Sequence, residues 1–164
     1  MLRHQHRIYA FALAMTGTPH DAEEVAQESF VRAYRALRGY APERVRDLKE
    51  SAWLHRIALN VQRNRVRRRR LPIEPLERAL EVAEGAAGPE QLAERRETAA
   101  ELAAAVACMP PRYRESVVLR HVQGMSYDQA AEVLGRPAGT VKSEVHRGLA
   151  LLRAGIAKAC EDER

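Results

Sequence analysis

An all-α protein is predicted, built as two small helical domains joined by a flexible acidic linker, the second a four-helix domain containing a helix-turn-helix. Composition favours helix over sheet: aromatic residues make up 5% of the 164, while Ala, Leu, Glu and Arg abound. Apolar residues recur at helical spacing in several segments, many with start and stop signals at their ends. Charge then divides the chain. Residues 1–72 hold 15 Lys and Arg against 7 Asp and Glu, a balance of +8. Residues 73–100 hold 3 against 7, or −4, and residues 101–164 hold 9 against 8, or +1. A basic front, an acidic middle and a near-neutral rear suit parts with different jobs, and the total of +5 permits a polyanionic partner without demanding one.

The front domain is expected over residues 1–70. Residues 2–16 read as a helix with Ile8, Tyr9, Phe11, Ala12 and Met15 on a broad apolar side, ended by "TGTP". Thr18 is a good N-cap and Pro19 a good first helical residue for a second helix reaching about Arg38. Its inward positions are Ala22, Val25, Ala26, Ser29, Ala33 and Leu37, and its other side carries Asp21, Glu24, Glu28, Arg32 and Arg35. "GYAPERVRD" reads as a loop. A third helix then runs from about Leu48 towards residue 70 on a stripe of Leu54, Ile57, Ala58 and Val61, with Arg56, Asn60, Arg63 and Arg67 in line on the opposite side. Trp53 is expected as a core or core-edge anchor.

Residues 71–90, with three prolines, two glycines and mostly acidic charge, read as the linker, with a short helix inside "PIEPLERALEVA". The rear domain, 91–160, should hold four helices. The first lies near 90–108. Pro110-Pro111 opens the second, 111–122, and Gly124 ends it. Ser126 caps the third and Gln129 completes a capping box, with Gly135 closing that helix. The fourth runs from about Gly139 to Ala157.

The last two helices carry the chemistry. Ala131 lets two helices cross closely, Gly135 permits the positive φ of a tight turn, and Val141 seats the following helix. Val141, Val145, Gly148 and Leu152 share the inward side, leaving Ser143, His146 and Arg147 outward and Lys142 beside them. A helix presented this way can enter a major groove N-terminus first, with Thr140 and the free first-turn N–H groups on a phosphate. A helical hairpin inside a bundle would show the same spacing. In the front domain "RNRVRRRR", residues 63–70, holds six arginines. A helix C-terminus favours two or three cations, and six repel one another unless an anion such as phosphate relieves them. Asn60 and Asn64 interleave with Arg56, Arg63 and Arg67, adding groups able to read base edges.

Taken together these residues resemble an extracytoplasmic-function (ECF) sigma factor of bacterial RNA polymerase, in the sigma-70 family. "DAEEVAQESFVRAYRAL" is similar to that family's second helix, and "AWLHRIALNVQRNRVRRRR" resembles its W-L-x-x-I-A-x-N helix ending in arginines. "MPPRYRESVVLRHVQGMSYDQAAEVLGRPAGTVKSEVHRG" resembles the family's second DNA-binding unit, with its L-P-x-x-x-R opening and G-T-V-K-S-R recognition helix. The three stretches are collinear and cover nearly the whole chain.

The resemblance implies a front domain that docks on core polymerase and captures the melted −10 strand, and a rear domain that reads the −35 element as duplex. By position, Asp21, Glu24, Gln27 and Glu28 would face the polymerase clamp. Arg56, Asn60, Arg63, Asn64 and Arg67 would meet the −10 strand, and the loop around Tyr40 to Leu48 could hold an extruded base. Arg120, Thr140, Lys142, Ser143, His146 and Arg147 would make the −35 contacts. Implied partners are core RNA polymerase, promoter DNA and, as for many family members, an anti-sigma protein. The chemistry would belong to the polymerase, so no catalytic residue and no cofactor is expected. A stand-alone helix-turn-helix regulator is the competing reading, but the front 70 residues show neither a dimer interface nor an effector domain.

Glu144 departs from the family, which usually has arginine there. By angle it falls on the helix flank, where it could pair with Arg147, and the departure predicts weaker or altered −35 recognition. His4, His6, His121, Cys108 and Cys160 have no metal-ligand spacing, so no metal is expected. Two cysteines suit a reducing cytosol, and "MLRHQHRIYAFALAMTG" lacks the pattern of a signal peptide or membrane span. A cytoplasmic protein, monomeric when free, is expected.

Overall fold

The computed structural model describes residues 4–70, 102 and 105–162, and among them there is no strand. Four helices form the front: α1 (Gln5–Thr16), α2 (Pro19–Arg38), α3 (Pro42–Arg46) and α4 (Glu50–Arg70). The rear holds α5 (Pro111–Val117), which passes into one π-turn (Val118–Val122), then α6 (Tyr127–Leu134) and α7 (Ala138–Asp162). The expected linker, the short helix within it and most of the helix expected near 90–108 lie outside the described residues; residues 105–108 are helical.

The capping signals act as their residue types require. Thr18 is extended and its hydroxyl accepts from the Asp21 N–H at 3.3 Å, with Pro19 at the first helical position. Ser126 and Gln129 form both bonds of the capping box that starts α6. Gly135, at φ 66°, closes α6 and turns the chain into α7. Two expectations are corrected. The stretch read as a loop contains α3, because Pro42 supplies a pre-set first helical residue and Glu43 lies in its first turn. The helix opened by Pro111 also has an irregular last turn, in which the Gln123 N–H reaches the Val118 carbonyl at 3.0 Å. Such single π-turns rotate the following residues relative to a regular helix, and here they deliver Gln123 to the front domain.

The core is continuous across the two halves. Ile8, Phe11 and Met15 of α1 and Leu54, Ala58 and Leu59 of α4 pack in one buried cluster with Val117, Val118, Leu119, Met125 and Val133. A smaller cluster of Ala12, Ala22, Val25 and Val61 joins α1, α2 and α4. Trp53 sits half-buried at the core edge, its indole N–H 3.4 Å from the Tyr40 hydroxyl, as expected of an anchor.

Candidate nucleic-acid interface

Three surfaces follow from this packing. On α7, Val141 and Val145 are fully buried, and Leu152 and Gly148 complete the inward side. Gly148 is where α7 crosses α5: a Cβ there would lie 2.6 Å from Val117 Cγ2 and 2.9 Å from Met109 Cε. Seated this way, α7 exposes Lys142, Ser143, His146 and Arg147, with Thr140 half-buried in its first turn. Gly139 faces open space, so a phosphodiester backbone could approach the start of the helix closely. Arg120 donates to the Met125 carbonyl at 3.2 Å and stacks 5.2 Å above the Tyr127 ring, so it braces the turn before α6.

Glu144 corrects the flank reading. It is 2% exposed and does not pair with Arg147. One carboxylate oxygen accepts from Arg112 Nε at 2.6 Å; the other accepts from the Ser116 hydroxyl at 2.6 Å and from Arg136 at 2.9 Å. Burial alone would push this carboxyl up, but the bonds from Ser116, Arg112 and Arg136 outweigh it and hold the group below its usual value. The same Arg136 donates to Glu115 at 2.9 Å. Position 144 is therefore a strut between α5 and α7, and the physical ground for expecting it to repel or reselect DNA is removed.

The second surface is the outer line of α4. Arg56, Asn60, Arg63 and Arg67 are exposed and Asn64 is half-buried, so the sequence places all five on one accessible side. Two of them are engaged by the rear domain. Arg63 forks onto Glu115 with two bonds of 2.7 Å, and Arg56 donates to the Glu132 carbonyl. The Glu115 carboxylate raises the Arg63 guanidinium above its usual value. A cavity of about 400 Å³ beside this line is walled by Arg44, Leu48, Lys49, Trp53 and Arg56.

The third surface is the acidic side of α2. Gln27 is exposed, Glu28 pairs with Arg32 at 2.6 Å, and Glu24 pairs with Arg65. Asp21, expected on the open side, is instead buried against Arg65 at 2.6 Å. The arginine run is thus divided: Arg63 and Arg65 are ion-paired within the fold, while Arg67 and Arg68 face outward.

The sequence offered no direct sign of Glu115, Gln123, Glu132, Arg112 or Arg136 as partners in these surfaces. One signal existed: Glu115 occurs in "ESVVL", a stretch of otherwise buriable residues, where a charge needs a partner. Among the described residues no three His, Cys, Asp or Glu side chains converge as a metal site would require, and no helix is long and apolar enough to cross a membrane.

Comparison with known proteins adds the family. Residues 1–71 match the family model for sigma-70 region 2, and residues 99–152 match that for sigma-70 region 4. The chain is 37% identical to the ECF RNA polymerase sigma factor SigE of Mycolicibacterium smegmatis over 95% of its length, and spans 60% of that relative. It is 31% identical to the ECF RNA polymerase sigma factor SigW of Bacillus subtilis, covering 90% of this chain and 81% of the relative. Among solved structures it is similar to CnrH, determined in complex with the cytosolic domain of CnrY. The TM-score is 0.69 at 29% identity, over 96% of this chain and 84% of CnrH. Two region models in the right order, on a fold of the same shape, are not met by a helical hairpin alone: the chain belongs to the extracytoplasmic-function group of the sigma-70 family of RNA polymerase sigma factors.

Proposed function

We propose that the chain binds core RNA polymerase and directs promoter-specific initiation, with residues 1–70 as the polymerase and −10 unit, 71–90 as the linker and 91–160 as the −35 unit. The observation that carries this is α7. Four buried positions seat it while Lys142, Ser143, His146 and Arg147 stand outward beside an open helix start. These side chains suit major-groove edges and phosphates. Thr140 contributes from the first turn, and Arg120 contributes through the turn it braces. Arg56, Asn60, Arg63, Asn64 and Arg67 take the −10 strand, and Glu24, Gln27 and Glu28 meet the polymerase clamp, with Asp21 ordering α2 through Arg65.

The chemistry of RNA synthesis stays with the polymerase, and the chain works in the cytoplasm as a monomer until it meets that enzyme. An anti-sigma partner is part of this reading, and the related CnrH was solved in complex with a protein domain, the cytosolic domain of CnrY. Run-off transcription with core polymerase on a random promoter library tests the proposal. Selective initiation from a −10/−35 pair is expected. Failure to stimulate core polymerase, together with unaided binding to a palindromic duplex as a dimer, would overturn it.

A further inference from the structure

Arg112 is tethered at one nitrogen and open at the others. Its Nε donates to Glu144 at 2.6 Å, its side chain is 60% exposed, and its two Nη groups have no bonded partner among the described residues. The tether is itself held. Arg136, in the turn before α7, donates to the same carboxylate at 2.9 Å and to the Arg112 carbonyl at 3.5 Å, and the Ser116 hydroxyl donates to that carboxylate at 2.6 Å. Angles around α7 say what the open fork stands beside. At about 100° per residue, Thr140 and Arg147 fall about 40° and about 60° from Glu144 on one side, while Val141, Val145 and Gly148 fall on the other. Glu144 marks the border between the buried stripe and the outward arc, and that arc begins with Thr140 and Arg147. Arg112 reaches the border from α5, beside the recognition helix.

Resting on the proposed −35 role of α7, we infer that Arg112 is a further DNA-binding residue: its guanidinium grips a phosphate of the duplex along the Thr140 and Arg147 edge of α7, and Glu144 is the positioning residue that aims it. Bonding at Nε uses one edge of the guanidinium and leaves the terminal Nη pair, which suits two phosphate oxygens. A long cation otherwise loses rotamer freedom when it binds, so a side chain already held by Glu144 binds at a smaller entropic cost. The carboxylate does not repel the strand, because it is buried beneath its donors. Three guanidinium groups, of Arg63, Arg112 and Arg136, share two carboxylates, of Glu115 and Glu144, so the cluster keeps one positive charge, and Arg112 is its most exposed member. A phosphate contact carries no base information, so Arg112 sets the grip and register of α7 rather than its sequence preference.

The test uses holoenzyme assembled from the full chain and core polymerase, on two promoter fragments: one selected from the random library and one with its −35 element scrambled. Arg112→Ala is expected to weaken binding to both fragments by the same factor. It should also lower the slope of log K against log salt by about 0.9, so that its deficit relative to wild type shrinks about 3.5-fold between about 50 and 200 mM salt. Arg112→Lys, which keeps a charge at that place, is expected to restore the slope. Glu144→Gln is expected to lose part of the same slope, and none of it once Arg112 is already alanine. A strut alone would lower affinity equally at every salt, so a full wild-type slope in Glu144→Gln overturns its positioning role. An unchanged slope in Arg112→Ala overturns the inference whether or not affinity falls. So does a loss confined to the selected fragment, or a slope that Arg112→Lys fails to restore. Lys142→Ala/Arg147→Ala separates the two readings. If it leaves binding to the selected fragment intact, the −35 assignment of α7 itself fails; if it weakens that binding while Arg112→Ala keeps the wild-type slope, only the phosphate grip fails.

Discussion

Replacing Glu144 by arginine should damage the fold rather than improve DNA binding. The carboxylate is 2% exposed and accepts three bonds: from Arg112 and Ser116 at 2.6 Å and from Arg136 at 2.9 Å. Removing one partner of a buried pair costs about 3–5 kcal/mol when the other is stranded. Here the stranding is partial, because the Arg112 side chain is 60% exposed and Arg136 keeps Glu115. Glu144→Gln, which retains the shape and part of the bonding, should therefore cost about 2 kcal/mol, below that range. Glu144→Arg adds a third guanidinium to two others in a buried site and should cost about 4 kcal/mol. With a urea slope of about 2 kcal/mol/M the midpoints should drop by roughly 1 M and 2 M. Far-UV circular dichroism in urea reads both. The pH dependence has a definite sign. A carboxyl held below its usual value of 4.5 contributes stability that is present above that pH and is lost as pH falls through the folded value. Wild type should therefore lose more stability on acidification from pH 6 than Glu144→Gln does. If Glu144→Arg melted with wild type and bound duplex more tightly, the side chain would have to lie outward and the buried strut would be refuted.

Further expectations concern packing, capping and a buried histidine. Gly148→Ala would gain about 1 kcal/mol from helix propensity alone, yet its Cβ would lie 2.6 Å from Val117 Cγ2. Overpacking of about 1–3 kcal/mol should win, so the thermal midpoint should fall, and a rise would contradict the close crossing of α5 and α7. Ser126→Ala removes the hydroxyl that accepts from the Gln129 N–H, and a chemical melt should show a loss of about 1 kcal/mol; an unchanged melt would deny the cap its role. His55 is buried against Phe11 and Gln123, and burial, only partly countered by its bonds to Ser51 and Gln123, lowers it below 6.5. The unfolded chain then binds the proton first, so stability should fall as pH drops below 6.5. His55→Phe should reduce that slope between pH 6.5 and 5, and an identical slope would assign the proton uptake elsewhere.

What was legible in the sequence was what neighbours along the chain decide. Thr18 with Pro19, Ser126 with Gln129, and Gly135 each act within four residues, and each appears in the structure as its residue type requires. The inward stripe of α7 was legible for the same reason, since one helix fixes the angles of its own side chains. α3 was missed because five residues rich in charge carry no apolar stripe, and only Pro42 marked the start. Glu144 shows where angles stop being enough. Its place between the inward and outward sides was readable, but its partners Arg112 and Arg136 lie 32 and 8 residues away and are brought to it by the turn at Gly135 and the crossing at Gly148.

The arginines of α4 carry the same lesson towards function. Their number and alignment say that an anion belongs beside them, and that inference needs no tertiary information. Which anion is another matter, because a carboxylate from 52 residues downstream satisfies Arg63 with the same two-oxygen geometry that a phosphate would offer. Sequence chemistry gives the charge of the surface, and the fold decides which carboxylate lies against it. The Glu144 strut repeats the point within the rear half: Arg112, Ser116 and Arg136 share one buried carboxylate and so fix α7 against α5.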